Sequence, residues 1–188
     1  MVAEIRIKTP GLKKVERMFA RQPRTIKRIM YRSINRAGTQ TKGKMARLIK
    51  DRYNLLLKHI RQCLILIKPS YNRWVAEIRV RDKRIPLGNF AARKTARGAS
   101  YQIERSQGRK QLKYRPEDRV FFSKLPSGHK GIFKRRGKNR LPIVELFGPS
   151  IGGILANKRR LARKIERESG VDLEKLIDDQ IKVELAKK

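Results

Sequence analysis

Residues suited to covalent chemistry are scarce in this chain. A single cysteine, Cys63, among 188 residues excludes an intramolecular disulfide framework and a cysteine-based zinc site. It sits in the apolar run Ile60-Arg-Gln-Cys-Leu-Ile-Leu-Ile67, where a buried small hydrophobe is expected rather than a reactive thiol. The two histidines, His59 and His129, lie far apart and make no metal signature. No glycine-rich phosphate loop, Gly-x-Ser-x-Gly elbow or His-Glu-x-x-His helix occurs. Acids number only 16, and several stand beside a base (Glu104-Arg105, Asp118-Arg119, Glu166-Arg167), as surface ion pairs do. A nuclease with dispersed carboxylates is the one enzyme class this pattern leaves open. The expectation is no catalysis, no metal and no cofactor. Aromatics make up 6%, and Tyr53, Tyr71, Tyr101 and Tyr114 are scattered, which argues against a stacking platform for single strands. The longest apolar run, Cys63 to Ile67, is far too short to span a bilayer. Met1 to Lys8 alternates charged and apolar residues and shows no signal pattern. A soluble protein made in a reducing compartment, with no membrane partner, is expected.

What the chain has is positive charge. Lys plus Arg number 50, for a formal net charge of +34. A compact monomer with such an excess repels itself and attracts polyanions, so nucleic acid or an acidic protein must neutralise it in the working state. Nucleic acid is the commoner answer. Basic clusters lie at Arg21 to Arg36, Arg79 to Arg97, Arg105 to Arg119, Lys134 to Arg140 and Lys158 to Arg167. From Glu168 onward acids outnumber bases. That last segment suits packing against protein, either its own sheet or a neighbouring subunit.

Periodicity divides the chain into a mainly helical part (1–68), a β-rich part (72–148) and a helical end (153–188), and the length fits one domain over 1–188. Val2 to Lys8 alternates as a short strand that Thr9-Pro10-Gly11 breaks. Leu12, Val15, Met18 and Phe19 share a helical face up to Pro23. A long helix then runs to Asp51 on Ile26, Ile29, Met30, Ile34, Ala37, Met45, Leu48 and Ile49. Gly38 and Gly43 weaken that helix by about 1 kcal/mol each relative to alanine and invite a kink. Leu55 to Leu64 reads as a second helical stretch. Trp74, Ala76, Ile78 and Val80 alternate as a half-buried strand. Ser100 to Glu104 reads as a strand, Ser106 to Lys113 as an exposed loop, and Val120 to Ser123 as the opening of the next strand. Beyond Gly152-Gly153, Ile154, Leu155, Leu161 and Ile165 mark a helix that Ser169-Gly170 closes. Asp172 is then a plausible N-cap for a last helix striped with Leu173, Leu176, Ile177, Ile181 and Leu185. Helices at both ends and strands in the middle give an α+β fold, with N- and C-terminal helices packed on a central, mostly antiparallel β-sheet.

The most informative segment is 127–151. Gly128 and Gly131 bracket a tight turn, Gly131 to Phe133 open a short apolar strand, and a basic tip follows. A second strand returns, and Gly148-Pro149 is expected to end it, because proline cannot donate to a ladder. This is a β-hairpin that carries positive charge and hands over to a helix. Lys134, Arg135, Arg136, Lys138 and Arg140 on the tip can reach phosphates or an acidic neighbour without reading bases. Leu141, Pro142, Ile143, Leu146 and Phe147 are expected to hold the hairpin in place. Lys158, Arg159 and Arg160, with Arg163 and Lys164, make a second basic face that reads more readily as a solvated helix surface. His129 belongs to the turn, and His59 has no carboxylate in register.

The order Ser127-Gly-His-x-Gly-Ile-Phe133, a basic link, then Arg140-Leu-Pro-Ile-x-Glu-Leu-Phe-Gly-Pro-Ser-Ile151 resembles the signature of the minor tail protein Z family. These are tail completion proteins of long-tailed phages and prophages. Ile85-Pro86-Leu87-Gly88-Asn89-Phe90 and Thr95-Ala-Arg-Gly-Ala-Ser-Tyr-Gln-Ile103 agree with it. The resemblance implies a phage connector or tail-completion type of fold and a non-enzymatic virion protein at the head-proximal end of the tail, assembled in the host cytoplasm. It also implies tail terminator and neck or connector proteins as partners. A homo-oligomeric ring, hexameric by tail symmetry, would act in head-tail joining beside the genomic DNA. The alternatives are a general nucleic-acid-binding assembly protein of ribosomal type and an adaptor whose charge meets acidic protein alone.

Overall fold

The computed structural model describes residues 4–6, 12–70, 73–96, 98–113, 119–157 and 159–187. Helices α1 (Leu12–Met18) and α2 (Pro23–Arg52) follow the apolar period. Pro23 sits in the first turn of α2, where its missing N–H leaves nothing unpaired and its fixed φ suits the helix. Pro23 thus marks the turn into the next helix. α2 passes through Gly38 and Gly43 without interruption. A Cβ on Gly38 would lie 2.9 Å from Leu66 Cδ1 and 3.2 Å from the Ala76 methyl, so this glycine lets helix and sheet approach closely. The strand expected at 2–8 appears as β1 (Glu4–Arg6); Val2, Ala3, Ile7, Lys8 and Thr9-Pro10-Gly11 lie outside the described residues.

The next helix, α3 (Leu57–Cys63), stops earlier than its apolar run suggests, and Leu64–Ile67 continues as strand β2. A short apolar run is compatible with either element, and here pairing decides. Central strand β3 (Glu77–Val80) takes β2 on one side and β1 on the other, both antiparallel, with Ile78 opposite Leu66 and Ile5. Glu77 is buried in this sheet, bonded by Arg73 and, at 3.3 Å, by Arg79. The alternation read from Trp74 onward becomes ladder only from residue 77.

Three further ladders, also antiparallel, fill the middle of the chain: β4 (Arg84–Pro86) with β11 (Phe147–Ser150); β5 (Arg93–Thr95), β6 (Gly98–Tyr101) and β7 (Lys110–Lys113); and β8 (Val120–Lys124), β9 (Lys130–Arg135) and β10 (Ile143–Glu145). The strand expected from Ser100 starts two residues earlier. The segment 106–113 is not all loop: its last four residues pair with β6, and the polar alternation of Lys110 to Lys113 hid an edge strand. Gly148-Pro149 does not close the hairpin strand either. That strand ends at Glu145, and Gly148-Pro149 lies inside β11, where the register shifts between Phe147 and Ser150, a position that tolerates proline.

α4 (Ile151–Asn157) contains Gly152-Gly153 instead of following them. Ser150 caps it, its Oγ accepting from Gly153 N at 3.0 Å. α5 (Arg159–Leu185) runs unbroken through Ser169-Gly170. Asp172 is therefore no N-cap; it forms an ion pair with Lys44 of α2. Leu173, Leu176, Ile177 and Ile181 are buried against α1 and α2 with Val15, Phe19, Ile29 and Ile34, while Leu185 is exposed. A second cluster joins the far half of α2 (Met45, Ile49) to Ile60, Ile78, Phe90, Ile132, Ile151 and Leu155. α2 thus serves both clusters. The architecture is α+β, with helices at both ends and an antiparallel sheet core divided among small ladders.

Candidate functional site: the basic hairpin

β8, β9 and β10 form the scaffold, with Phe121 opposite Phe133, Arg135 opposite Ile143 and Glu145 opposite Phe133. Alternation gives this sheet two faces. Val120 and Ile132 point into the main core with the partly buried Phe122 and Leu146. The other face carries Arg119, Phe121, Phe133, Arg135, Ile143 and Glu145. The β8–β9 turn closes through Gly128, which has φ +82°, a conformation glycine adopts without a Cβ clash. His129 Nε2 lies 2.6 Å from Glu145 Oε1 and its ring meets Phe133 edge-on, so this histidine braces the hairpin.

The tip is fastened to its own stem. Arg135 places its guanidinium 5.0 Å from the Phe121 ring centroid and donates to Arg140 O at 2.7 Å. Arg119 donates to Lys138 O at 2.7 Å, and Arg136 N donates to Pro142 O at 3.2 Å. The Leu141-Pro142 peptide is cis. Arg135 is thus turned back to hold the loop, Lys134 is half-buried, and Arg136, Lys138 and Arg140 remain as exposed cations. Arg119 was not among the sequence-expected residues. Only its placement opposite Arg135 at the strand end reveals its part, and no local motif marks it.

Of the residues expected to hold the hairpin, Ile143 and Leu146 are half-buried, but Leu141 is 67% exposed and Phe147 46% exposed. Backbone contacts anchor it instead. Leu146 N donates to Ile132 O, and Leu87 N to Leu146 O, each at 2.8 Å. Gly88 faces the Lys130-Gly131 backbone so closely that a Cβ would lie 2.7 Å from Lys130 O. A Cβ on Gly131 would sit 2.6 Å from Glu145 Oε1, and one on Gly148 would sit 2.8 Å from the Phe90 ring. Pro149 lies beside it in β11, with Pro86 of β4 opposite Phe147. The two sequence stretches 85–90 and 127–151 are therefore one interlocked unit.

The second basic face is less fully placed. Arg159 and Arg160 open α5, Arg163 and Arg167 are exposed, and Lys158 lies outside the described residues. A groove of ≈ 380 Å³ beside β8 is lined by Lys94, Thr95, Ala96, Gly98, Val120, Phe121 and Phe122. Lys94 is the one ionisable group in that described lining. Cys63 is half-buried, and burial pushes its thiol above the usual range despite the opposing charges of Arg81 and Lys83. Among the described residues, no cluster of His, Cys, Asp and Glu could hold a metal ion, and no helix is long and apolar enough to cross a membrane.

Among known families, the model of the prophage minor tail protein Z family matches residues 11–187. The chain belongs to the minor tail protein Z family. No curated protein and no solved structure matches it. Membership in the minor tail protein Z family implies a structural role in a phage tail, a place in the tail of the virion and contact with other tail proteins.

Proposed function

We propose that this chain completes the head-proximal end of the tail and prepares it for joining to a filled head, without catalysing a reaction. The family match over 11–187 carries this reading. In this account the chain acts as a single domain in a homo-oligomeric ring, a hexamer by tail symmetry, between the tail terminator and the neck or connector proteins. A closed ring multiplies the charge of each subunit around one axis. With +34 per chain, such a ring would hold or guide genomic DNA by its phosphates. The exposed Arg136, Lys138 and Arg140 of the fastened tip suit contact with DNA or with an acidic neighbour, because their loop is already ordered before binding. Lys158, Arg159 and Arg160 add charge near the start of α5.

The test is a phage or prophage lacking the gene for this chain. Full-length tails that fail to join filled heads, rescued by adding the protein, are the expected result. Normal joining without it would overturn the assignment. Recovery of the protein on ribosomal particles instead of virions would favour the general nucleic-acid reading.

A further inference from the structure

We propose that the solvent face of α2 is a binding surface for the phosphate backbone of double-stranded DNA, engaged without regard to base sequence. Between Glu16 and Asp51 the chain carries no acid and eleven bases. The structure sorts eight of these bases into two sets. At the seam with α5, Arg28 and Arg32 reach Glu184 at 3.4 and 3.6 Å, and Lys44 pairs with Asp172. Lys14 of α1 likewise meets Asp178 at 2.6 Å. Arg24, Lys27, Arg36, Arg47 and Lys50 are exposed, and none has an acidic partner among the described residues. The acids of α5 thus neutralise Arg28, Arg32 and Lys44 and leave these five cations without an acidic partner among the described residues.

Geometry and chemistry then select the partner. From Arg24 to Lys50 the helix rises ~39 Å, and Arg24, Arg36, Arg47 and Lys50 fall within about 140° of its circumference, an arc they share with the paired Arg28 and Arg32. That length exceeds one turn of duplex, roughly 34 Å. From Arg24 onward no exposed side chain of α2 is apolar. A protein partner would draw its binding energy from a buried apolar or aromatic centre, which this face lacks. Phosphates need only fixed cations and give up counterions on binding. The proposal rests on the tail role for the source of the duplex, the DNA at the head-tail joint, but not for the binding itself.

The experiment uses the whole chain and a labelled 30-bp duplex of arbitrary sequence, with affinity read by fluorescence anisotropy between 50 and 300 mM KCl. In R24Q/R36Q/R47Q/K50Q, the slope of log affinity against log salt should flatten by about 3–4, and affinity at 100 mM salt should fall by about 10³-fold. The tip variant R136Q/K138Q/R140Q is the comparison. A wild-type slope in the α2 variant, with binding lost in the tip variant, would overturn the proposal. Tighter binding of poly-glutamate than of duplex to the wild type would also overturn it, in favour of an acidic protein. Should the α2 variant fail to fold, lysine acylation of the wild type decides. Duplex should slow acylation at Lys50 more than at Lys124 and Lys130, and equal rates would contradict the assignment. Absence of duplex binding would end this proposal, while the gene-deletion experiment would still judge the tail role.

Discussion

Gly88→Ala puts one methyl group where the hairpin meets the 85–90 segment. Its Cβ would lie 2.7 Å from Lys130 O, 2.8 Å from Gly131 Cα and 3.3 Å from Lys130 C. All three are backbone atoms in β9, so no side chain can rotate away, and the ladder to β8 and β10 must shift. Overpacking of this kind costs about 1–3 kcal/mol. For a chain of this size, each kcal/mol moves the midpoint by about 2–4 °C, so a fall of about 2–12 °C is expected. Gly43→Ala is the control. Nothing lies within 4 Å of its added Cβ, and alanine gains about 0.5–1 kcal/mol over glycine inside a helix. The same chemical change should therefore lower the melting temperature at one site and raise it at the other, read by circular dichroism. Hydrogen exchange should also quicken in β9 for Gly88→Ala alone. A Gly88→Ala protein that melts at or above the wild-type temperature would refute the interlock between the two segments.

Glu77→Gln should destabilise by about 1–3 kcal/mol, read by urea unfolding. The buried carboxylate bonds to Arg73 and Arg79, yet both arginines are more than half exposed and recover water. The Glu184 carboxyl is held below its usual range, first by the Lys187 hydrogen bond and then by the charges of Lys187, Arg28 and Arg32, against desolvation. A lowered folded-state pKa contributes stability that is present above the ordinary carboxylate value and lost as pH falls through the depressed one. Glu184→Gln should thus be less stable than wild type at pH 7, by about 1 kcal/mol, with the gap closing in acid; a gap that widens below pH 4 would contradict the pairing. Arg135→Ala should cost about 1 kcal/mol or less through the loss of its cation–π contact. It should also speed exchange at the tip amide of Arg136 if the guanidinium fastens the loop, and unchanged exchange would contradict that.

Much of this fold was legible because apolar period and pairing agree. The stripe Leu173, Leu176, Ile177, Ile181 and the face Ile29, Met30, Ile34, Ala37 mark two helices that pack on each other. The β9–β10 hairpin was equally readable from its glycines and the basic link between its strands. The errors share a cause: local punctuation was overruled by long-range contacts. Gly148-Pro149 is tolerated in β11 because β4 lies opposite, and Ser169-Gly170 stays helical within α5. Leu64 to Ile67 is a strand because β3 pairs with it, which no residue within the run announces. At the site, the number of cations was plain from the sequence, but their division was not. That Arg135 turns back to hold the loop, that Arg119 holds the tip and that α5 neutralises Arg28, Arg32 and Lys44 alone among the cations of α2 discussed above depend on neighbours distant in the chain.

The most direct test of the account is a cryo-electron microscopy map of the assembled particle with this chain traced in it. The account predicts a ring at the head-proximal end of the tail, in contact with the terminator and neck proteins, with basic surface turned toward the axial DNA. A chain located elsewhere in the tail, or a position at the joint with those cations facing bulk solvent, would contradict it.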